Sequence, residues 1–120
     1  MTSASIERTF TQADFDAFAA LSGDDNPIHV DPDFSARTRF GKTVAHGALL
    51  CSVLRALCDR LAPGWRQARQ DVVFPAPTYA GETVTFTAEI IEDRDDRKKI
   101  ALKAMKTGEI VVEGHAEMVK

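Results

Sequence analysis

The feature that most constrains this chain is a change of hydrophobic period. From Thr83 onward apolar residues recur at every second position: Val84, Phe86, Ala88 and Ile90 alternate with Thr83, Thr85, Thr87 and Glu89. Polar Glu92 to Lys98 turns the chain, Ile100, Leu102 and Ala104 resume the alternation, and Thr107-Gly108 turns it again before Ile110, Val112, Ala116 and Met118. Residues 70–74 add an apolar-ended strand broken by Pro75 and Pro77. Period-two strands joined by short turns predict an antiparallel meander with one apolar face. Ahead of them, Leu50, Val53, Leu54, Leu57 and Leu61 follow a helical period of about 3.6, within a segment from Gly47 to Leu61 that Pro63-Gly64 ends. Ala48, Leu49 and Ala56 widen its apolar surface, so the helix is expected to be buried on most sides. An apolar sheet face needs a cover, and this helix is the only large one available. The pattern therefore predicts an α+β architecture, a curved antiparallel sheet wrapped around one long central helix.

The remaining N-terminal part is irregular. Ser5 to Phe10 reads as a short strand, and Thr11 with Asp14 as a helix start. Phe15, Phe18 and Ala19 share a face of that helix, which Gly23 ends. Asp24 to Val30 reads as loop, because Asn26-Pro27 pushes Asn26 out of the helical region. Asp31-Pro32 starts another short helix, Asp as cap and Pro in the first helical position, that stops at or before Gly41.

With 120 residues the chain fits one domain, 1–120, of ordinary globular composition. Its net charge of −3 offers no basic excess for nucleic acid. Cys51 and Cys58 fall seven residues apart on the long helix, about 10 Å along its axis, too far for a disulfide. Two free thiols suit a reducing compartment. The N-terminal residues lack the apolar core of a signal peptide, and no apolar run reaches the ~20 residues of a membrane span; the expected location is the cytoplasm.

The chemistry concentrates in Ser22 to Asp31, where Asp24, Asp25, Asn26, His29 and Asp31 crowd around a rigid proline. An acid and an imidazole five residues apart on a turning loop can converge on one water molecule and share proton transfer. A second feature, Val44-Ala45-His46-Gly47, runs directly into the start of the central helix. Free N–H groups and the helix dipole there favour developing negative charge, such as the oxyanion of a thioester enolate. Gly47 admits close approach to the backbone. Other polar residues have plainer readings. Asp31 is a cap, Asp25 a solvated turn residue, and His115 an exposed strand residue. His46 is either a structural histidine bonding a backbone carbonyl or a ligand-contacting residue. Asp24, His29 and His46 are also metal-ligand types, but their spacing matches no strong zinc pattern, so no metal or other cofactor is expected.

The order Ser22-Gly23-Asp24-x-Asn26-Pro27-Ile28-His29-x-Asp31, then Phe40-Gly41-x-x-Val44-Ala45-His46-Gly47, resembles the hydratase motif of the MaoC-like family, the (R)-specific enoyl-CoA hydratases. Gln70 to Pro75 and Ala80-Gly81-Glu82-Thr83-Val84 extend the likeness over nearly the whole chain. The resemblance implies the hot-dog fold and a homodimer. It implies Asp24 and His29 as catalytic residues that activate one water for syn addition to a trans-2-enoyl thioester, giving a (3R)-3-hydroxyacyl thioester. It also implies Gly47 as the residue whose N–H polarises the thioester carbonyl, with Asn26 and Ser52 as polar residues holding the site. Ser52, one turn into the helix, would face Asp24. Phe34, Phe40, Leu50, Leu54 and Phe74 are candidates to line an acyl tunnel.

Two rivals share this chemistry or fold. A (3R)-hydroxyacyl dehydratase acting on acyl carrier protein would use Arg37, Arg39, Lys42, Arg66 and Arg69 to meet an acidic carrier; the same residues could bind the phosphates of CoA. A non-catalytic acyl-thioester binding module would have no use for both Asp24 and His29. A thioesterase is disfavoured, because residues 48–61 offer only Asp59, near the far end, as an acid on the central helix.

Overall fold

In a computed structural model describing residues 1–120, five antiparallel strands form one sheet and a long helix lies across it. The elements are β1 (Ser3–Thr9), α1 (Gln12–Ser22), α2 (Pro27–Val30), α3 (Pro32–Ala36), α4 (Gly47–Leu61), β2 (Arg66–Val73), β3 (Thr83–Asp93), β4 (Arg97–Lys106) and β5 (Glu109–Val119). The sheet order is β1-β3-β4-β5-β2.

The period-two alternation becomes rows of inward side chains. Ile6 pairs with Phe86, Phe86 with Ala104, and Ala104 with Val112, so one row crosses four strands. Leu50, Leu54, Leu57, Cys58 and Leu61 of α4 pack on such rows. Removing each leucine from water contributes about 1.5–3 kcal/mol, which is why the helix and sheet form together.

Three expectations need correction. The meander holds only for β3, β4 and β5. β2 does not pair with β3; it crosses to the far edge and pairs with β5, from Arg66 opposite Val119 to Val73 opposite Glu113. The break at Pro75 and Pro77 frees the chain to make that crossing. The central helix is also less enclosed than its composition suggested. Its sheet-facing stripe is buried, but Ala48, Ser52 and Ala56 form an exposed stripe at four-residue spacing. Alanine tolerates exposure, and so cannot report the face it lies on. Residues 27–30, read as loop, make the short helix α2. Asn26 stays outside the helical region as its proline neighbour requires, and so caps a helix with Pro27 at its first position. The two cysteines are free, as expected. No helix is long and apolar enough to cross a membrane.

Candidate active site

Asp24 and His29 are held by a succession of helix caps. Thr11 and Asp14 close a capping box at the start of α1. Gly23 ends α1 at φ 83°, a left-handed conformation a larger residue rarely adopts, and its N–H donates to the Ala19 carbonyl. Asn26 then accepts from the Ile28 N–H (3.1 Å) and starts α2, which carries His29. Asp31 accepts from the Asp33 and Phe34 N–H groups (3.0 and 3.1 Å) and starts α3, so it is the cap expected. Asp24 sits in the only uncapped step of this path, its side chain about half exposed.

His29 is fixed more tightly. Its Nδ1 lies 2.8 Å from the Val44 carbonyl. A carbonyl only accepts, so Nδ1 is the protonated nitrogen and Nε2 keeps its lone pair. That Nε2 faces Asp24 Oδ2 at 3.9 Å, beyond direct hydrogen-bond reach. A water about 2.8 Å from both atoms would subtend about 88° between them, somewhat narrower than the angle between its two O–H bonds, so it could reach both through slightly bent hydrogen bonds. The pair is spaced to hold one water.

Val44 to Gly47 forms the wall behind this pair. The Val44 N–H donates to the Ile28 carbonyl (3.1 Å) and the Ala45 N–H to the Thr78 carbonyl (2.8 Å). His46 is 1% exposed and caps α4 without a side-chain bond to its first turn. Instead its ring turns toward α1 and α2. Nε2 donates to the Asp24 carbonyl (2.9 Å), which is the structural reading of this residue. The Gly47 and Ala48 N–H groups have no carbonyl one turn behind them, as at any helix start, and no capping side chain takes its place.

Beside Gly47 opens a cleft of about 690 Å³, lined by Phe40, Val44, Ala45, Leu50 and Phe74, with Arg39 and Tyr79 also on its wall. The Phe74 ring lies so close to Gly47 that a Cβ there would stand 2.8 Å from Cζ. Phe40, Leu50 and Phe74 thus line a cleft as expected. Leu54 does not, being fully buried against the sheet, and neither does Phe34. Asp24 and His29 are not in that lining; the segment Val44–Gly47 is the wall the pair and the cleft share.

Of the other expected residues, Asn26 braces the loop through its cap. Ser52 is exposed and its hydroxyl donates to the Leu49 carbonyl (2.6 Å), with no hydrogen bond joining it to Asp24. His115 and Asp25 are exposed. Asp59 pairs with Arg55 at 3.2 Å at the far end of α4, away from this site. Asp24, His29 and His46 bring potential ligand atoms within 4.8 Å of one another. Yet the two imidazoles stack with centroids 3.8 Å apart at 21°, so their in-plane lone pairs run side by side instead of converging, and His46 Nε2 already donates to a carbonyl. That arrangement is not a chelate.

Three bracing residues escaped the sequence reading. The Gln12 amide donates to the His29 carbonyl (2.9 Å) and to Asp16 (3.1 Å), and its oxygen accepts from the Thr43 hydroxyl. The fully buried Ser35 hydroxyl donates to the Ile28 carbonyl (3.2 Å). Two of these four bonds end on backbone carbonyls, and one joins side chains 31 residues apart, so no spacing rule marks them.

The family model for the MaoC like domain matches residues 2–113. An (R)-specific enoyl-CoA hydratase of Aeromonas caviae is 38% identical, over 78% of this chain and 72% of the relative. Another, from Rhodospirillum rubrum, is 36% identical over 98% of this chain and 84% of its own. The solved (R)-hydratase from A. caviae involved in PHA biosynthesis superposes with a TM-score of 0.90 at 32% identity, covering 98% of this chain and 92% of that one. Its hot-dog architecture is the sheet and central helix described above. The chain belongs to the MaoC-like family and is an enzyme of the hydro-lyase class to which these hydratases belong.

Proposed function

We propose that this protein is an (R)-specific enoyl-CoA hydratase, adding water reversibly and syn to a trans-2-enoyl-CoA to give a (3R)-3-hydroxyacyl-CoA, with residues 1–120 acting as one MaoC-like hot-dog domain. The observation that carries the reading is the 3.9 Å gap between Asp24 Oδ2 and a His29 Nε2 whose lone pair is freed by the Val44 carbonyl. A water in that gap gives one hydrogen to each group. As its oxygen bonds the β-carbon, His29 takes the departing proton and Asp24 holds the other hydroxyl hydrogen in line. The proton then returns to the α-carbon from the same side, which leaves both side chains as they began and makes the addition syn. Electron density moves meanwhile onto the thioester oxygen, which the Gly47 N–H at the open start of α4 stabilises. Asn26 braces the loop, and Ser52 offers an exposed hydroxyl one turn along α4.

The acyl chain occupies the cleft lined by Phe40, Leu50 and Phe74. Arg39 on its wall and exposed Lys42 nearby take the CoA phosphates. Arg69 suits this less, being paired with Asp71. The same basic rim is the specific feature that favours the carrier-protein dehydratase as a second reading. We further propose a homodimer. β2 is an open sheet edge, and Val73 and Phe74 at its end expose 63% and 48% of their surface; a partner would cover them. With Cys51 and Cys58 as free thiols, we place the protein in the cytoplasm.

The test is to incubate it with a short trans-2-enoyl-CoA and follow loss of the conjugated double bond, then repeat with Asp24→Asn and His29→Ala. Hydration by the wild type and its loss in both variants is expected. Release of free thiol would make it a thioesterase, undiminished hydration in the variants would remove the pair from the chemistry, and turnover of carrier-bound substrate alone would establish the second reading.

A further inference from the structure

The proposed reaction gives His46 no part, yet His46 is the most constrained polar side chain near the pair. It is buried to 1% exposure, and its ring stacks on His29 at 3.8 Å. The Phe18 ring also packs against it, at 4.9 Å and 59°. Its Nε2–H donates to the Asp24 carbonyl at 2.9 Å. Its Nδ1 is buried with no partner at all. A buried nitrogen without a partner costs free energy, and an isosteric apolar ring would avoid that cost. A residue kept only for packing would not carry it.

The geometry supplies a compensating role. Asp24 lies in the one uncapped step between α1 and α2, and the Asn26 N–H reaches its carboxylate only at 3.5 Å. The His46 N–H is thus the strongest hydrogen bond fixing the Asp24 backbone from outside its own loop. His29 is held in its ring plane by Val44, and the face of the His46 ring stacked on it resists tilting out of that plane. One rigid side chain, anchored at the start of α4, therefore sets both members of the pair relative to each other and to Gly47, the next residue.

We propose that His46 is a positioning residue for hydration. It fixes the Asp24–His29 separation and registers it against the Gly47 N–H without itself touching substrate. This rests on the reading of Asp24 and His29 given above. His46→Phe keeps a flat ring against His29 but loses the donor to Asp24. His46→Gln keeps a donor of similar reach but loses the stack. His46→Ala loses both. Misplacement of reacting groups by about 1 Å lowers a rate by about a hundredfold. His46→Ala should accordingly fall about a hundredfold in kcat, and the Phe and Gln variants about tenfold each. KM should stay within about twofold of wild type in all three, because binding contacts are untouched.

A structural role alone would lower the unfolding temperature and the yield of active protein without this split between kcat and KM. Folded Phe and Gln variants with wild-type kcat would overturn the proposal. Nitrogen NMR of the wild-type imidazoles tests it independently of any variant's folding. His46 should show a protonated Nε2 and a bare Nδ1, and the reverse tautomer would overturn it. Asp24→Asn and His29→Ala run in parallel: if those two retain activity, the reading of the pair has failed, whereas if they are inactive and the His46 variants are not, only the role of His46 has.

Discussion

Replacing Gly47 by alanine separates two roles that converge on one backbone position. A Cβ there would lie 2.8 Å from Phe74 Cζ and 3.1 and 3.2 Å from the two Cε atoms. Carbon atoms prefer about 3.5–4.0 Å, so the ring must move by about 1 Å. The clash is with the far end of a side chain that is 48% exposed within the chain and not with backbone, so the ring can turn aside at small cost. Alanine also gains up to about 1 kcal/mol over glycine as a helical residue. The two effects nearly cancel, and the thermal midpoint should shift by less than about 5 °C. Activity should behave differently. The new methyl, and the ring it displaces, crowd the start of α4 beside the Gly47 N–H and should hold a thioester oxygen out of hydrogen-bond distance of that donor. The N–H itself remains, but blocking one such contact costs about a hundredfold or more in rate, equivalent to about 2.7 kcal/mol. The assay is kcat/KM for a short trans-2-enoyl-CoA beside a thermal melt. The double variant Gly47→Ala/Phe74→Ala removes the displaced ring and leaves the methyl, and it should remain as slow as the single variant. A single variant within about threefold of wild type would refute the oxyanion role. Recovery in the double variant would show that the ring, not the backbone donor, controls the rate.

At Gly114 a Cβ would overlap the Asp71 carbonyl and stand 2.7 Å from Val72 Cα, both rigid backbone. Gly114→Ala must therefore part β2 from β5 and break about two ladder bonds, lowering stability by about 2–4 kcal/mol; an unchanged urea midpoint would contradict this. Substituting Arg39 and Lys42 together by alanine should raise KM for the CoA thioester severalfold with kcat little changed, and the difference should shrink in high salt. If KM does not move, the phosphates bind elsewhere. Burial, then the neighbouring Asp59 charge, pushes the Cys58 thiol up to about 11. The unfolded chain loses that proton at lower pH than the native one, so this thiol's contribution to stability is intact below the unfolded value and is lost as pH rises toward 11. Alkylation of Cys58, read by mass spectrometry apart from the partly exposed Cys51, should accordingly track global unfolding at mildly alkaline pH; its rapid modification in the native protein would contradict that burial.

The sheet and its covering helix were legible because periodicity records which side of an element meets the core. Val84, Phe86, Ile100 and Leu102 are buried as their alternation requires. Periodicity does not record which strand neighbours which, so the crossing of β2 to the edge beyond β5 was invisible. Asn26-Pro27 serves both a loop and a capped helix start, and only the residues that follow decide between them, so α2 is not legible in the sequence. Within the site, Asp24 and His29 could be named because acid and imidazole types are scarce and crowd one short segment. Ser52 could be placed on α4, but not on a face, since a seryl hydroxyl is satisfied equally by its own helix. Gln12 and Ser35 act on the carbonyls of His29 and Ile28, and a backbone acceptor leaves no mark in a sequence. His46 is identifiable from sequence as structural or functional, but not as the ring that packs against both Phe18 and His29.

The central claim is that one water, held between Asp24 and His29, supplies its oxygen and its proton to a single face of the double bond. Hydration of a short trans-2-enoyl-CoA in heavy water, followed by NMR and chiral analysis of the product, tests this most directly. The account predicts a (3R)-3-hydroxyacyl-CoA with deuterium at the α-carbon on the same face as the new hydroxyl, and no such product with Asp24→Asn or His29→Ala. Deuterium on the opposite face, scrambled label or a (3S) product would contradict it.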